Sequence, residues 1–304
     1  MLPLKIYNET APLKVVLLGT ATSIGPIPIP EEAYDPNSLM HINAGTYPKE
    51  ADMVAEMEAF SEILKKYQVE VIRPEVIEDC NQIFSRDIAF VIEDFLFRSN
   101  ILPHREEEFE AIKHVLDQID PAKCIRLPEE AHIEGGDVMP WFDYIFVGVY
   151  TAADYPNQIT ARTNLEAVAF LASFFPDKKV KSFELKKSNT NPYENALHLD
   201  CCFQPIGTHN ALVHPDGFLN PEEYQWIVDY FGADNVLEIT KDELVMMGCN
   251  VFSINSTVVV SEKRLTRINE WMRSKGFTVE EISYSEIAKQ GGMLRCSTLP
   301  LIRN

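Results

Sequence analysis

Five short stretches carry the side chains best suited to chemistry: Ser85-Arg86-Asp87, Glu134-Gly135-Gly136-Asp137, His198-Leu199-Asp200, Asn250 and Cys296. A thiol, an imidazole and several carboxylates together suit attack on a cationic carbon. A guanidinium carbon is a poor electrophile until carboxylates fix its charge and a thiolate attacks it; an acid must then protonate the departing nitrogen. In that scheme Cys296 is the nucleophile, since a thiolate is strong once a neighbouring cation lowers its pKa. His198 protonates the leaving amine and later deprotonates water. Asp87 and Asp200 accept hydrogen bonds from the guanidinium. Glu134 holds the cation, or orients His198 and passes protons. Asp137 caps the tight Gly-Gly turn, and Asn250 has an orienting role.

Each residue also has a plainer reading. Cys296 could be a buried apolar-strand cysteine, His198 a satisfied core histidine, and Asp200 a strand-end carboxylate on backbone amides. A metal held by His198, Asp200, His209 and His214 is a further alternative, although no recognised ligand spacing supports it. Cys80, Cys124, Cys201, Cys202 and Cys249 are expected to be inert.

Positioning these residues falls to an arrangement that recurs along the chain. IFSRDIAFVIE and FLFRSN read as strands, REEEFEAIKHVLDQID as a helix and CIRLP as a third strand. The order returns as GGDVMPWF, YIFVGVY, a helix across ITARTNLEAVAFLASFF, and VKSFELK. It returns again as HLDCCFQPI, NALVHP, PEEYQWIVDYF and VLEIT, and once more as MGCNVFSI, TVVVSE, RLTRINEWMRSKG and TVEEIS. Pro221 and Gly276 stand where a helix should start and end.

The lone C-terminal strand MLRCSTLPLI then completes LKVVLLG, EADMVAEMEAFSEILKK and VEVIRP from the N-terminal region. Five ββαβ units of about 60 residues each would close into a ring. The candidate residues would begin the first strand of each unit and meet at one end of its axis. Strand alternation would put His198 and Asp200 on one face. From periodicity alone, an ordinary α/β sheet with antiparallel edges is the alternative. No linker divides the chain, so residues 1–304 are expected to form one catalytic domain. The Pro- and Gly-rich segment from Gly19 to Pro48 is too long for a bare connector and could be a lid.

The charge balance limits the partners. Lys and Arg number 27 against 46 Asp and Glu, a net charge of −19. That field disfavours nucleic acid and anionic membranes and favours a small cationic substrate. MLPLKIYNET lacks a basic region followed by a long apolar run, so no signal peptide is expected. LEAVAFLASFF is too short to span a bilayer. Six cysteines without CxxC spacing suggest reduced thiols in the cytoplasm.

The set FSRD, EGGD, HLD, GCNVF and a terminal GG-x-x-R-C-x-T-x-P-L-x-R resembles the guanidino-group-modifying enzymes: arginine deiminases, dimethylarginine dimethylaminohydrolases and amidinotransferases. The resemblance covers nearly the whole chain. It implies the pentein fold, a five-bladed α/β propeller. By motif, it also implies a covalent thiouronium on Cys296, acid-base roles for His198 and Glu134, and a guanidinium held by Asp87 and Asp200. The ARTN stretch, with Arg162, is similar to the dimethylargininase segment that supplies a carboxylate-binding arginine. LPHREEE places Arg105 where arginine deiminases have another.

The inserted helical module of typical arginine deiminases is missing, since a short loop joins Leu127 to Glu134. YPKEADMVAEMEAFSEILKKYQVEVIRPE looks like the transferases' N-terminal helix and strand, whereas EGGD departs from their Asp-Ala-Ala-Asp. The expected activity is hydrolysis of arginine or a substituted arginine to a ureido product with release of ammonia or an amine. The alternatives are amidino transfer to an acceptor amine and a non-catalytic guanidine-binding protein. No cofactor is implied, and homo-oligomerisation is left open.

Overall fold

The computed structural model describes residues 1–102 and 105–304; Pro103 and His104 of the LPHREEE stretch lie outside them. Its strands are β1 (Leu13–Leu18), β2 (Glu70–Ile72), β3 (Ala89–Ile92), β4 (Phe95–Arg98), β5 (Cys124–Arg126), β6 (Val138–Trp141), β7 (Tyr144–Val149) and β8 (Lys179–Glu184). They continue with β9 (Phe203–Ile206), β10 (Asn210–Val213), β11 (Val236–Glu238), β12 (Phe252–Asn255), β13 (Val258–Glu262), β14 (Thr278–Ile282) and β15 (Thr298–Arg303).

Among the described residues these strands form five three-stranded sheets, none closed on itself. Four sheets repeat one plan: a hairpin, a helical crossover, and a third strand parallel to the second. They are β3-β4-β5, β6-β7-β8, β9-β10-β11 and β12-β13-β14. The fifth sheet is split between the two halves of the sequence. β15 runs antiparallel to β1, from Leu13 opposite Arg303 to Leu18 opposite Thr298, and β2 lies parallel on the other side of β1.

Burial explains why the first strand of each unit lacks alternation. β3, β6 and β9 are buried at every position, so both faces are packed and the sequence runs apolar but for Gln204 in β9. The third strands β2, β5 and β11 keep exposed or half-buried residues. Helix Glu50–Lys66 buries Met53, Met57, Phe60 and Leu64, one stripe at helical spacing. Its first turn carries Glu50 and Asp52 and its last turn Lys65 and Lys66, which complements the helix dipole. Helix Pro221–Phe231 starts on Asn220, whose side chain accepts the Glu222 N–H, and stops at Gly232 with φ +83°. No helix among the described residues is long and apolar enough to cross a membrane.

Several expected elements differ. REEEFEAIKHVLDQID forms two short helices, Glu106–Glu110 and Lys113–Leu116. In ITARTNLEAVAFLASFF the helix is only Leu165–Phe174, because the Asn164 side chain caps it by accepting the Ala167 N–H, leaving Arg162 in a loop. The candidate residues precede the inner strands rather than beginning them. Ser85–Ile88 and Leu199–Cys202 are single α-helical turns, Gly135–Asp137 is a 3-10 turn, and Cys296 lies just ahead of β15. The alternation argument for His198 and Asp200 is therefore corrected. His198 is the extended N-cap residue and Asp200 lies inside the turn, so the two do not share a strand face: His198 meets Glu134 and Asp200 meets Arg295.

Candidate active site

The three turns stack against one another and against the segment carrying Cys296. Asp137 joins two of them: its carboxylate accepts the Leu199 N–H at 2.8 Å and the Thr163 hydroxyl at 2.6 Å. It thus fixes the start of the neighbouring unit's turn, whereas its own Gly-Gly turn has no side-chain cap, so the capping role expected of Asp137 is corrected. The Arg86 N–H donates to the Cys296 carbonyl at 3.0 Å. Gly136 makes room for the imidazole, since a Cβ there would lie 2.6 Å from His198 Cγ and Nδ1.

His198 lies between two carboxylates. Nε2 is 2.8 Å from Glu134 Oε2, and Nδ1 is 3.7 Å from Asp87 Oδ1, beyond hydrogen-bond distance. His198 Nδ1 and Asp87 Oδ1 are buried and have no hydrogen-bond partner. Burial alone would lower the imidazole pKa, but Asp87, the Glu134 hydrogen bond and Asp137 raise it to about 8. Burial opposes ionisation of Glu134 too, yet Arg162 and His198 hold its carboxyl well below the usual range. Asp87 goes the other way, raised by burial despite His198 and Arg105.

This arrangement has a measurable consequence for stability. With His198 raised from 6.5 to about 8 on folding, its protonated form adds stability that is fully present below about pH 6.5 and lost as pH rises through about 8. The contribution amounts to about 2 kcal/mol. Urea unfolding at about pH 6 and about pH 9 should therefore show wild type losing about 2 kcal/mol more than His198→Gln across that interval. Equal losses in the two proteins would remove the raised imidazole.

Cys296 is 2% exposed and held by Asn250. Asn250 Oδ1 accepts the backbone N–H groups of Met293, Arg295 and Cys296 at 3.2, 3.0 and 3.2 Å. Its Nδ2 donates to the Asp200 carbonyl at 3.3 Å and to Cys296 Sγ at 3.1 Å. The orienting part assigned to Asn250 thus has a geometric basis. Cys296 Sγ is 3.5 Å from Asp200 Oδ2, and Cys201 Sγ also contacts Asp200, at 3.7 Å. The expectation of a neighbouring cation that lowers the thiol pKa is corrected: the Cys201 thiol, burial and the Asp200 carboxylate all push Cys296 well up.

Sequence reasoning passed over the ion network behind the thiol. Arg295 is fully buried and donates Nη1 to Asp200 at 2.8 Å and Nε and Nη2 to Glu9 at 3.0 and 3.1 Å. It also donates to the Gly136 and Val138 carbonyls at 3.3 and 2.7 Å. Arg295 stood inside the quoted terminal motif, and a charged residue among apolar neighbours was its signal. Glu9 carried no local signal.

A cavity of about 390 Å³ opens onto Asp87, Arg105, Arg162, His198 and Cys296. Glu134 and Asp200 stand behind its wall, in contact with His198 and Cys296. Part of the Gly19 to Pro48 segment covers it, with Pro28, Tyr34, Asp35 and Tyr47 among the lining. This segment contains helix Pro36–Asn43, capped by Asp35, whose side chain accepts the Ser38 N–H at 2.9 Å.

Both arginines expected to hold a carboxylate line the cavity, and the protein's own groups engage each. Arg162 donates Nη1 to both Glu134 oxygens at 3.1 Å, Nε to the Ile159 carbonyl at 2.8 Å and Nη2 to the Tyr34 carbonyl at 3.1 Å. Arg105 donates to Glu108 at 2.6 and 2.9 Å and to Asp87 at 2.9 Å.

Among the described residues, Asp87, Glu134 and His198 form a group that could hold a metal ion. The alternative set is not assembled. His209 is exposed beside Thr208, while His214 is buried with Nδ1 on the Ile239 carbonyl.

Residues 39–303 match the model of the family described as N,N dimethylarginine dimethylhydrolase, eukaryotic. The uncharacterized protein YkgA of Bacillus subtilis (strain 168) is 31% identical over 244 residues, 80% of this chain and 77% of that one. The fold is similar to the N-terminal domain of ArgZ, an arginine dihydrolase from the ornithine-ammonia cycle in cyanobacteria, with TM-score 0.77 at 17% identity over 95% of this chain and 97% of that one. It is also similar to SxtG, an amidinotransferase from Microseira wollei, with TM-score 0.75 at 18% identity over 99% of this chain and 97% of that one. With the match running through most of its length, the chain belongs to the N,N-dimethylarginine dimethylhydrolase family.

Proposed function

We propose that this protein is a cysteine-dependent hydrolase of a guanidino compound, working through a covalent thiouronium on Cys296. The observation that carries the reading is a cavity lined by Cys296, His198 and Asp87, whose buried Oδ1 has no hydrogen-bond partner. Membership of a family described by a dimethylarginine hydrolase supports it. The accompanying fold is a five-bladed α/β propeller in one catalytic domain, closed by β15 on β1.

The substrate cation lies against Asp87, with Asp200, expected to hold it too, behind the wall and paired to Arg295. Its positive charge supplies what the free site lacks beside Cys296, so on substrate binding the thiol releases its proton to water and the thiolate faces a protonated His198. Sγ adds to the guanidinium carbon, and the C–N bond breaks as His198, protonated near neutral pH, gives its proton to the departing amine. Neutral imidazole, oriented by Glu134, then takes a proton from water. The resulting oxygen adds to the thiouronium carbon, the C–S bond breaks, and the ureido product leaves with the thiolate restored. Asp137 and Asn250 position the turn and the thiol.

The test is incubation with a panel of guanidines, with and without acceptor amines, and product identification by mass spectrometry. Ureido product and free amine or ammonia are expected without any acceptor. Product that requires an acceptor amine would make the protein an amidinotransferase, and binding without product would leave a guanidine-binding protein.

A further inference from the structure

A second cavity, of about 530 Å³, lies where β4 and β5 end, and Arg98, Ser99, Phe109 and Arg126 are among its walls. Among the described residues, it shares no lining residue with the catalytic cavity. Arg98 and Arg126 are Cα partners in the parallel pairing of β4 with β5, so both side chains leave the sheet on one face. Every other arginine of the chain donates to a carboxylate, carbonyl or hydroxyl oxygen. Among the described residues, the guanidiniums of Arg98 and Arg126 make no hydrogen bond and no ion pair, in a chain with 46 Asp and Glu against 27 Lys and Arg. Arg98 lies over the Phe109 ring, 4.2 Å from its centroid, a contact that steadies the side chain but gives its N–H groups no oxygen. Two like charges abreast on neighbouring strands repel, so the pair is destabilising as it stands. An observation of a different kind falls in the same place. Ser99 is 4% exposed, lines this cavity, and its buried hydroxyl has no hydrogen-bond partner. A hydroxyl left so costs free energy until a ligand bonds to it.

We infer that this cavity is a second binding site, separate from the catalytic one, and that it takes the phosphate group of a small phosphorylated compound. Neighbouring strands lie about 4.8 Å apart, so one compact group can reach both guanidiniums. A phosphate monoester carries nearly two negative charges at neutral pH and presents three acceptor oxygens, which matches two guanidinium forks and one hydroxyl. A single carboxylate answers only one of the two charges. Ile101, Leu127 and the Phe109 ring offer apolar surface to the organic part. Glu106 and Glu129 also line the cavity, but both are exposed, so water and salt screen them from the anion.

The experiment is calorimetry of the full chain at low and high ionic strength, in a buffer free of oxyanions, with phenyl phosphate, inorganic phosphate and succinate as probes. Phenyl phosphate is expected to bind the wild-type protein at one equivalent, inorganic phosphate several-fold more weakly, and succinate at least about tenfold more weakly, each affinity falling as salt rises. Arg98→Gln/Arg126→Gln should lower the affinity for phenyl phosphate by at least about tenfold, and Ser99→Ala should lower it several-fold. Arg126→Gln alone, at an exposed position where folding is not at stake, should also cost several-fold. These variants should bind guanidines as the wild type does, because none of the three residues lines the catalytic cavity. Failure of the wild type to bind phenyl phosphate at one equivalent overturns the inference. Unchanged affinity in Arg126→Gln and in the double variant overturns it as well, since the anion then sits elsewhere. Succinate binding as tightly as phenyl phosphate overturns the assignment to phosphate.

Discussion

Replacing Cys296 with alanine is expected to abolish turnover of every guanidine while leaving guanidine binding measurable. Among the described residues two thiols line the cavity, Cys80 and Cys296, and Cys296 is the one held by Asn250 beside the Asp200 carboxylate. Loss of an attacking atom should lower kcat by at least about 10⁴-fold, as in other enzymes that proceed through a covalent intermediate. Binding should survive because Asp87 and Asp200 are untouched and the lost atom is one accepting a 3.1 Å hydrogen bond from Asn250. Product assay and calorimetry check the two halves separately. A variant retaining more than a small fraction of wild-type kcat would transfer the nucleophile's part to water or to another residue. Intact-protein mass spectrometry of the wild type during slow turnover should also show an amidino adduct that the variant lacks.

The second large effect is expected on stability. Arg295→Met should destabilise the fold by about 3–5 kcal/mol, because it leaves two carboxylates, Glu9 and Asp200, buried without their shared cation. Urea unfolding near neutral pH measures this directly. Arg295→Met combined with Glu9→Gln should recover part of the loss, since only one charge then remains uncompensated. A change below about 1 kcal/mol in the single variant would mean that the network is hydrated, as exposed pairs are. Because Asp200 also contacts Cys296 Sγ, the variant should show altered catalysis as well as lower stability.

The repeated order of strands and helices was legible because each unit alternates a hairpin with an amphipathic helix, a local signal. The pairing of β15 with β1 followed by elimination, as the terminal strand lacked partners and the first unit lacked a strand. The one-turn helices were not legible. Four residues show no periodicity, and their shape is set by remote contacts, such as the Asp137 carboxylate on the Leu199 N–H. The candidate residues could be named from type and order, but not their partners. Arg105 and Arg162 have long side chains whose choice among several carboxylates is made in three dimensions. The thiol's surroundings failed for the same reason. Arg295 is next to Cys296 in sequence, but its guanidinium turns to Glu9 and Asp200, so the sulfur meets the carboxylate instead.

The split sheet has a consequence for how the protein is made. β1 is synthesised early and β15 late, with four complete strand-and-helix units between them. On the ribosome those units can collapse one after another as they emerge, yet β1 must wait with one edge bare until translation has passed Arg303. On the proposed mechanism the nascent chain is therefore inert until Cys296 has emerged, because the thiol precedes the strand that covers that edge. During this interval the bare edge is the place where a chaperone, or another unfinished copy, would attach.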